Sequence, residues 1–240
     1  MKTALVTGSA RGIGRAIAER LAADGHRVLI ADRAGADATA AEIDGAQAYT
    51  VDLSQPEQTT GLADRVLHDH GRCDVLVNNA AYMAGLQPLG ELDLETWRRY
   101  QAVNVEAPFL LCSRILPVMA AGGGGRVVNI VSNTFWEPPG PGMAAYITTK
   151  GALMGLTRAL AVEWGPRNVT VNAVAPGLTP TPGSTADMPQ GAFDAVRSQQ
   201  ALDRTLDPKD IAGAVSYLVS DSAAAVTGQA IRVDGGLVTL

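Results

Sequence analysis

Cysteine is almost missing from this chain. Cys73 and Cys112 are too few for a disulfide framework and show no C-x-x-C spacing. Histidine is nearly as scarce. His26, His68 and His70 have no Cys or Glu at ligand spacing around them, so no metal site is expected. His68 and His70 are two apart, face away from one another on a helix, and read as solvated surface residues. Positive charge is in deficit: 19 Lys and Arg against 24 Asp and Glu give a net charge of −5 and a pI near 5.2. That balance argues against nucleic acid or an anionic membrane as a partner. No apolar run in the sequence reaches the roughly 20 residues of a spanning helix. The stretch from Met1 to Val6 enters a strand pattern at once, which leaves no room for a signal peptide and makes cytoplasm the expected compartment.

Hydrophobic residues make up 47% of the 240 positions, charged residues 18%, and glycine occupies 26 of them. This excludes disorder and allows one substantial core with many tight turns. Short runs of Val, Ile, Leu and Ala at 4–7, 27–31, 48–51, 75–78, 126–131, 170–175 and 230–233 read as strands, several without polar alternation. Between them, 14–24, 55–69, 94–121, 145–164 and 209–220 carry apolar residues at helical spacing. The alternation predicts an α/β fold of three layers, a doubly wound parallel sheet between helices, in a single domain over 1–240. One stretch departs from it. Residues 177–207 contain Pro180, Pro182, Pro189 and many small polar residues, with a weak helical run at 191–202, and a loop of that length suggests a lid.

Where the first strand turns into the first helix, Gly8, Gly12 and Gly14 frame Arg11 and Ile13. Glycines there let the backbone turn and approach a pyrophosphate resting on the helix N-terminus. The lysine and Ser/Thr of a P-loop are absent, which disfavours nucleoside triphosphate hydrolysis. Asp32 ends the second strand, where a carboxylate can bond the adenosine ribose of a dinucleotide and repel a 2′-phosphate. It favours NAD over NADP, while Arg11 and Arg33 pull weakly the other way. Asp52, followed by Leu53, lies where an adenine amino group could be bonded, and Asn78, Asn79, Ala80 and Ala81 follow the fourth strand. In open α/β sheets ligands bind at these carboxyl ends.

Tyr146 and Lys150 are four apart and share a face if their segment is helical. A tyrosine ionises near pH 10, and a positive charge within about 4–6 Å favours the phenolate. The spacing therefore predicts a tyrosine with a lowered pKa, able to trade protons with a substrate.

Taken in order, these motifs resemble the short-chain dehydrogenase/reductase family over essentially the whole chain, in its compact branch with a Rossmann fold. The resemblance adds Asn104 in Val103-Asn104-Val105, Ser132 after Asn129-Ile130-Val131, the run from Asn172 to Gly177, and the ending from Thr227 to Gly236. It implies Asn104, Ser132, Tyr146 and Lys150 as catalytic residues of an NAD-dependent alcohol dehydrogenase or ketone reductase. Lys150 would bind the nicotinamide ribose and Asn104 would hold a water. Pro176, Gly177, Thr179 and Thr181 would face the nicotinamide. Three departures stand out. Ala81 replaces a usual glycine, Thr179 replaces a usual aliphatic residue, and the Ser132–Tyr146 separation is one residue longer than usual, so counting back from Tyr146 reaches Asn133. The strand register favours Ser132.

Tyr82, Met83, Phe135, Trp136, Leu178, Met188 and Phe193 could line an apolar pocket for a small alcohol or ketone. The Ser-Asn-Thr-Phe-Trp run is similar to that of phenylethanol dehydrogenase-like members. The other reading of Phe135 and Trp136 is core or subunit contact. Nothing basic is plainly placed for a phosphate or coenzyme A thioester, apart from Arg197 and Arg204 in 177–207. Alternatives are a reductase of a 3-oxoacyl or sugar/polyol substrate, and an NAD(H)-binding sensor without turnover. A helix at 145–164 with apolar residues on more than one face implies a homotetramer.

Overall fold

Apolar residues at consecutive positions can be buried on both faces only in a central strand, and these runs become one. The computed structural model describes residues 1–189 and 191–239. Strands β1 (Thr3–Thr7), β2 (Arg27–Asp32), β3 (Gln47–Thr50), β4 (Val75–Asn78), β5 (Gly125–Ile130), β6 (Val169–Pro176) and β7 (Ala230–Val233) form a sheet in the order β3-β2-β1-β4-β5-β6-β7, every pair parallel. The pleat sends neighbours to opposite faces. Leu5 joins the cluster under α3 (Pro56–His70) and α5 (Ala107–Ala121), while Ala4 and Val6 join the one under α1 (Gly12–Ala23) and α9 (Pro208–Val219). Order reverses between β1 and β4, which opens a crevice at their carboxyl ends.

Several boundaries depart from the sequence reading. A short helix α2 (Ala36–Glu42) follows β2, opened by Gly35 at φ 79°; seven residues are too few for apolar periodicity to show. The expected helix 94–121 is one path of α4 (Leu94–Gln101), a π-helical turn (Ala102–Glu106) and α5. By length and composition it could cross a membrane, contrary to the expectation that no run is long enough. In this structure Leu111, Ile115, Leu116 and Met119 are buried in the core, while Leu94 and Phe109 are exposed. Residues 177–207 hold two short helices, α7 (Pro182–Asp187) and α8 (Ala192–Arg197). Thr181 and Ser184 form a capping box at the first, a signal weaker than an apolar stripe.

His70 is not a solvated residue. Its Nε2 lies 3.1 Å from the Tyr49 hydroxyl, which also donates to Asp69 at 3.0 Å. The capping turn at Gly71 (φ 66°) brings the end of α3 back over β3 and half-buries the ring. His68 is exposed, as expected.

The helix that matters most is α6 (Ala144–Trp164). Ala145, Thr149, Leu153, Thr157 and Ala161 recur every four residues and are all buried, so this stripe faces the sheet. Thr157 accepts from buried Asn129 on β5 at 2.9 Å, and Asn129 accepts from Asn78 on β4 at 2.8 Å. Each such bond contributes about 1 kcal/mol net, but removing one partner would strand a buried polar group at about 1–3 kcal/mol. The chain of side chains therefore fixes α6 against the two strands that lead into the site.

Candidate active site

A cleft of about 320 Å³ opens at the carboxyl ends of β1 to β4. The glycine turn forms its floor, and the packing there is close. A Cβ on Gly8 would lie 2.7 Å from the Ala80 Cα, and one on Gly14 would collide with the Gly8 carbonyl and the Asn79 side chain. Gly8 (φ 63°) and Gly12 (φ 59°) also adopt left-handed backbone. Asn79 holds the turn by donating to the Thr7 and Gly8 carbonyls at 2.9 and 3.0 Å. Helix α1 starts at this floor, and its cap residue Arg11 makes no side-chain bond to the first turn. Its N–H groups, Ile13 among them, are therefore available to an anion. That donor set fits a dinucleotide pyrophosphate.

Asp32 lies on one wall. It accepts from the Ala10 and Arg33 amides at 3.0 and 2.7 Å, which fixes its carboxylate in the cleft. Arg33 and Arg11 share the wall. Asp52 and Leu53 line the far end, where Ser54 donates to Asp52 through its hydroxyl at 2.7 Å and its amide at 2.9 Å. Those bonds hold the Asp52 carboxyl below the ordinary range, with Arg33 and Arg99 adding to the effect. Ala80 and Ala81 line the opposite side, and Thr181 closes over Gly12. Pro176, Gly177 and Thr179 are not among the residues that line this cleft. Gly177 pairs with the Val233 carbonyl at 2.9 Å, and Thr179 is buried with its hydroxyl on the Gly177 carbonyl at 3.0 Å.

The second cluster gathers Ser132, Tyr146, Lys150 and Asn104. Ser132 stands two residues after the end of β5 and is buried. Its oxygen accepts from the Thr134 amide at 3.2 Å and from the Thr134 hydroxyl at 2.9 Å, and it stands near enough to Tyr146 to favour that residue's phenolate. Asn133 is buried beside it and opens a single 3₁₀ turn, so the extra residue before Tyr146 leaves Ser132 at the phenol. Lys150, only 2% exposed, donates to the Ile130 carbonyl at 2.8 Å, and its ammonium lies over the Tyr146 ring, 5.3 Å from the centroid.

The electrostatics correct the sequence expectation for Tyr146. Burial pushes its phenol up to about 12, Ser132 opposes that rise, and the neighbouring Tyr100 phenol adds to it. Burial also lowers Lys150 to about 8. The ammonium sits over the ring and is engaged by a carbonyl, so the desolvation cost outweighs its pull on the phenolate. Tyr146 as a whole residue is half-buried.

Asn104 falls in the π-helical turn, a distortion frequent at functional sites. Both of its side-chain N–H groups are engaged. It accepts from the Tyr82 amide at 2.7 Å and donates to the Tyr82 carbonyl and the Thr149 hydroxyl, both at 3.1 Å. Thr149 donates onward to the Tyr146 carbonyl at 2.7 Å.

Of the residues expected around the substrate, Tyr82 lines the cleft. Trp136 does not. It packs on the small cluster of Val131, Leu153 and Met154 with Arg232 over its ring, and Phe135 lies against Gly151. Arg197 is paired with Asp194 and Asp203, and Arg204 with Asp210. Arg99 and Val103 line the cleft without having been singled out in the sequence. Their spacing of five and one before Asn104 was the available signal. Both cysteines are buried, which pushes their thiols up to about 12 and leaves them inert.

The family model described as Enoyl-(Acyl carrier protein) reductase matches residues 8–238. The chain is 37% identical to dehydrogenase/reductase SDR family member 4 of Homo sapiens, over 98% of this chain and 87% of that one. Among solved structures it is similar to a blue fluorescent protein from a metagenomic library in complex with NADPH, at 35% identity and TM-score 0.92, covering 99% and 98% of the two chains. It is equally similar to a 3-ketoacyl-(acyl-carrier-protein) reductase from Brucella melitensis complexed with NADH, at 34% identity and TM-score 0.91, covering 98% of each.

Proposed function

The chain belongs to the short-chain dehydrogenase/reductase family of NAD(P)-binding oxidoreductases, and on that premise we propose that it interconverts a secondary alcohol and a ketone, with NAD(H) preferred and Tyr146 as the acid–base residue. The gathering of Ser132, Tyr146 and Lys150 carries this reading: Ser132 favours the Tyr146 phenolate, and the Lys150 ammonium lies over the Tyr146 ring, 5.3 Å from its centroid. A nicotinamide dinucleotide, when bound, supplies or takes up the hydride. The α1 N-terminus and Gly8, Gly12 and Gly14 would hold its phosphates, Asp32 its adenosine ribose, and Lys150 its second ribose.

Ser132 and Tyr146 would then donate to the carbonyl oxygen and stabilise the charge that develops there. A phenol held protonated up to about pH 12 is a standing donor at neutral pH. Lys150 places positive charge beside the ring to offset negative charge left on Tyr146. Asn104 and Thr149 tie the segment after β4 to the turn of α6 that carries Tyr146. Tyr82 and Met83 support an apolar or aromatic substrate. A 3-oxoacyl substrate is the second reading, supported by the description of the matching family and by the Brucella melitensis relative. The salt bridges of Arg197 and Arg204 weigh against it, since both cations already have carboxylate partners.

The test is a panel of aryl ketones, alkyl ketones, 3-oxoacyl thioesters and polyols, each assayed with NADH and NADPH or their oxidised forms. The expected outcome is highest kcat/KM for an aryl or alkyl ketone with NADH. Asp32→Ala should then narrow the NADH preference, because a repulsive carboxylate is removed while Arg11 and Arg33 remain. A parent enzyme that works better with NADPH, or turns over polyols alone, refutes the corresponding half of the reading.

A further inference from the structure

Tyr100 is the second phenol of the site. It stands four residues before Asn104, is 3% exposed, and belongs to no motif read from the sequence. A hydroxyl buried to that degree needs partners. Two of its partners lie in the segment after β4. The Tyr100 oxygen accepts from the Ala84 amide at 2.8 Å, and its proton points to the Met83 sulfur at 3.6 Å. The Tyr100 ring also meets the Tyr82 ring edge-on at 5.0 Å, and the Tyr82 ring carries the Arg99 guanidinium at 4.7 Å. Asn104 holds Tyr82 by both its amide and its carbonyl.

Residues 82–84 are thus pinned from one helix by two side chains a turn apart. The pinned segment stands between two working parts. Tyr82 and Arg99 line the dinucleotide cleft, while Asn104 reaches Thr149 and, through it, the Tyr146 carbonyl. The influence of Tyr100 on Tyr146 ionisation places the two phenols within electrostatic reach.

We propose that Tyr100 is a positioning residue for substrate selection: its hydroxyl fixes Tyr82 and Met83 as the wall against which the ketone substituent packs. The wall is an aromatic ring beside a thioether, a pair that favours flat aryl groups. Tyr100 does this without touching the substrate. The role rests on the oxidoreductase reading and deepens it.

Tyr100→Phe keeps the ring against Tyr82 and removes only the hydroxyl. Acetophenone and 2-butanone serve as probes with NADH. Loss of one buried hydrogen bond should raise KM for acetophenone by about five- to tenfold. It should leave kcat and KM for NADH within about twofold and reduce the preference for acetophenone over 2-butanone. A purely structural role would not split the constants in this way. Amide exchange at Ala84 should accelerate in the variant, while the Tyr82 amide, held by Asn104, keeps its protection. Met83→Leu, which keeps the volume and removes the sulfur acceptor, should shift the same ratio less and provides the reading if Tyr100→Phe does not fold. An active parent whose variants keep both KM and the acetophenone preference overturns this role alone. A parent inert toward every ketone refutes the functional reading and the role with it.

Discussion

Lys150 and Tyr146 show how burial sets the character of the site. In sequence they predict mutual stabilisation of two charges, yet each is shifted toward its neutral form, Lys150 to about 8 and Tyr146 to about 12. Spacing alone shows that two side chains share a face, but it does not show how much water is removed around them. The stability consequence has a definite sign. Folding lowers the Lys150 pKa below the value of about 10.4 that it has unfolded, so between these values the unfolded chain binds more protons. The penalty for burying the ammonium is full below pH 8 and fades as pH rises toward 10.5. Relative to Lys150→Met, the parent should therefore gain stability between pH 7 and pH 10 in urea unfolding. A difference between the two proteins that does not change with pH would show that Lys150 is not buried as a cation.

At the scale of elements, legibility followed the number of residues that carry a signal. The seven strand runs and the long helices were readable because many apolar positions agree. The π-helical turn was not, since one extra residue in a helical path leaves the spacing pattern nearly intact. Helix α2 and the capping box of α7 are too short for periodicity. The hydrogen bonds that pin 82–84 join Tyr100 and Asn104 to a segment some twenty residues earlier, and no local pattern announces such contacts. Residues 177–207 are proposed as a lid that orders over substrate and cofactor. Their helices are short, and the salt bridges of Arg197 and Arg204 are exposed and individually weak. Amide exchange there should be fast in the free protein and slow with NAD and a substrate analogue, while α6 stays protected in both states. Strong protection of the segment without ligand would make it a rigid wall.

At the scale of the whole molecule, the parallel sheet and its reversal point place the cleft, and both followed from the order of strands and helices along the chain. What one copy leaves uncovered also carries information. Helix α6 buries one stripe against the sheet and exposes Ala152, Ala159 and Val162, the last 81% exposed, while α5 exposes Phe109. A second apolar face on a core helix is proposed to meet its symmetry mate in a tetramer. Light scattering coupled to size exclusion should give about four times the 24.9 kDa chain, and a monomer at micromolar concentration would contradict it.

The most direct measurement is turnover of Tyr146→Phe at neutral pH, together with binding of NADH followed by its fluorescence. The substitution keeps the ring under Lys150 and removes the hydroxyl whose ionisation Ser132 favours. If Tyr146 moves the proton, binding should stay near that of the parent and turnover should fall by about 10² or more, the usual scale for losing general acid–base help. Turnover within threefold of the parent, with NADH still bound, would contradict the assignment and place the proton transfer on another group.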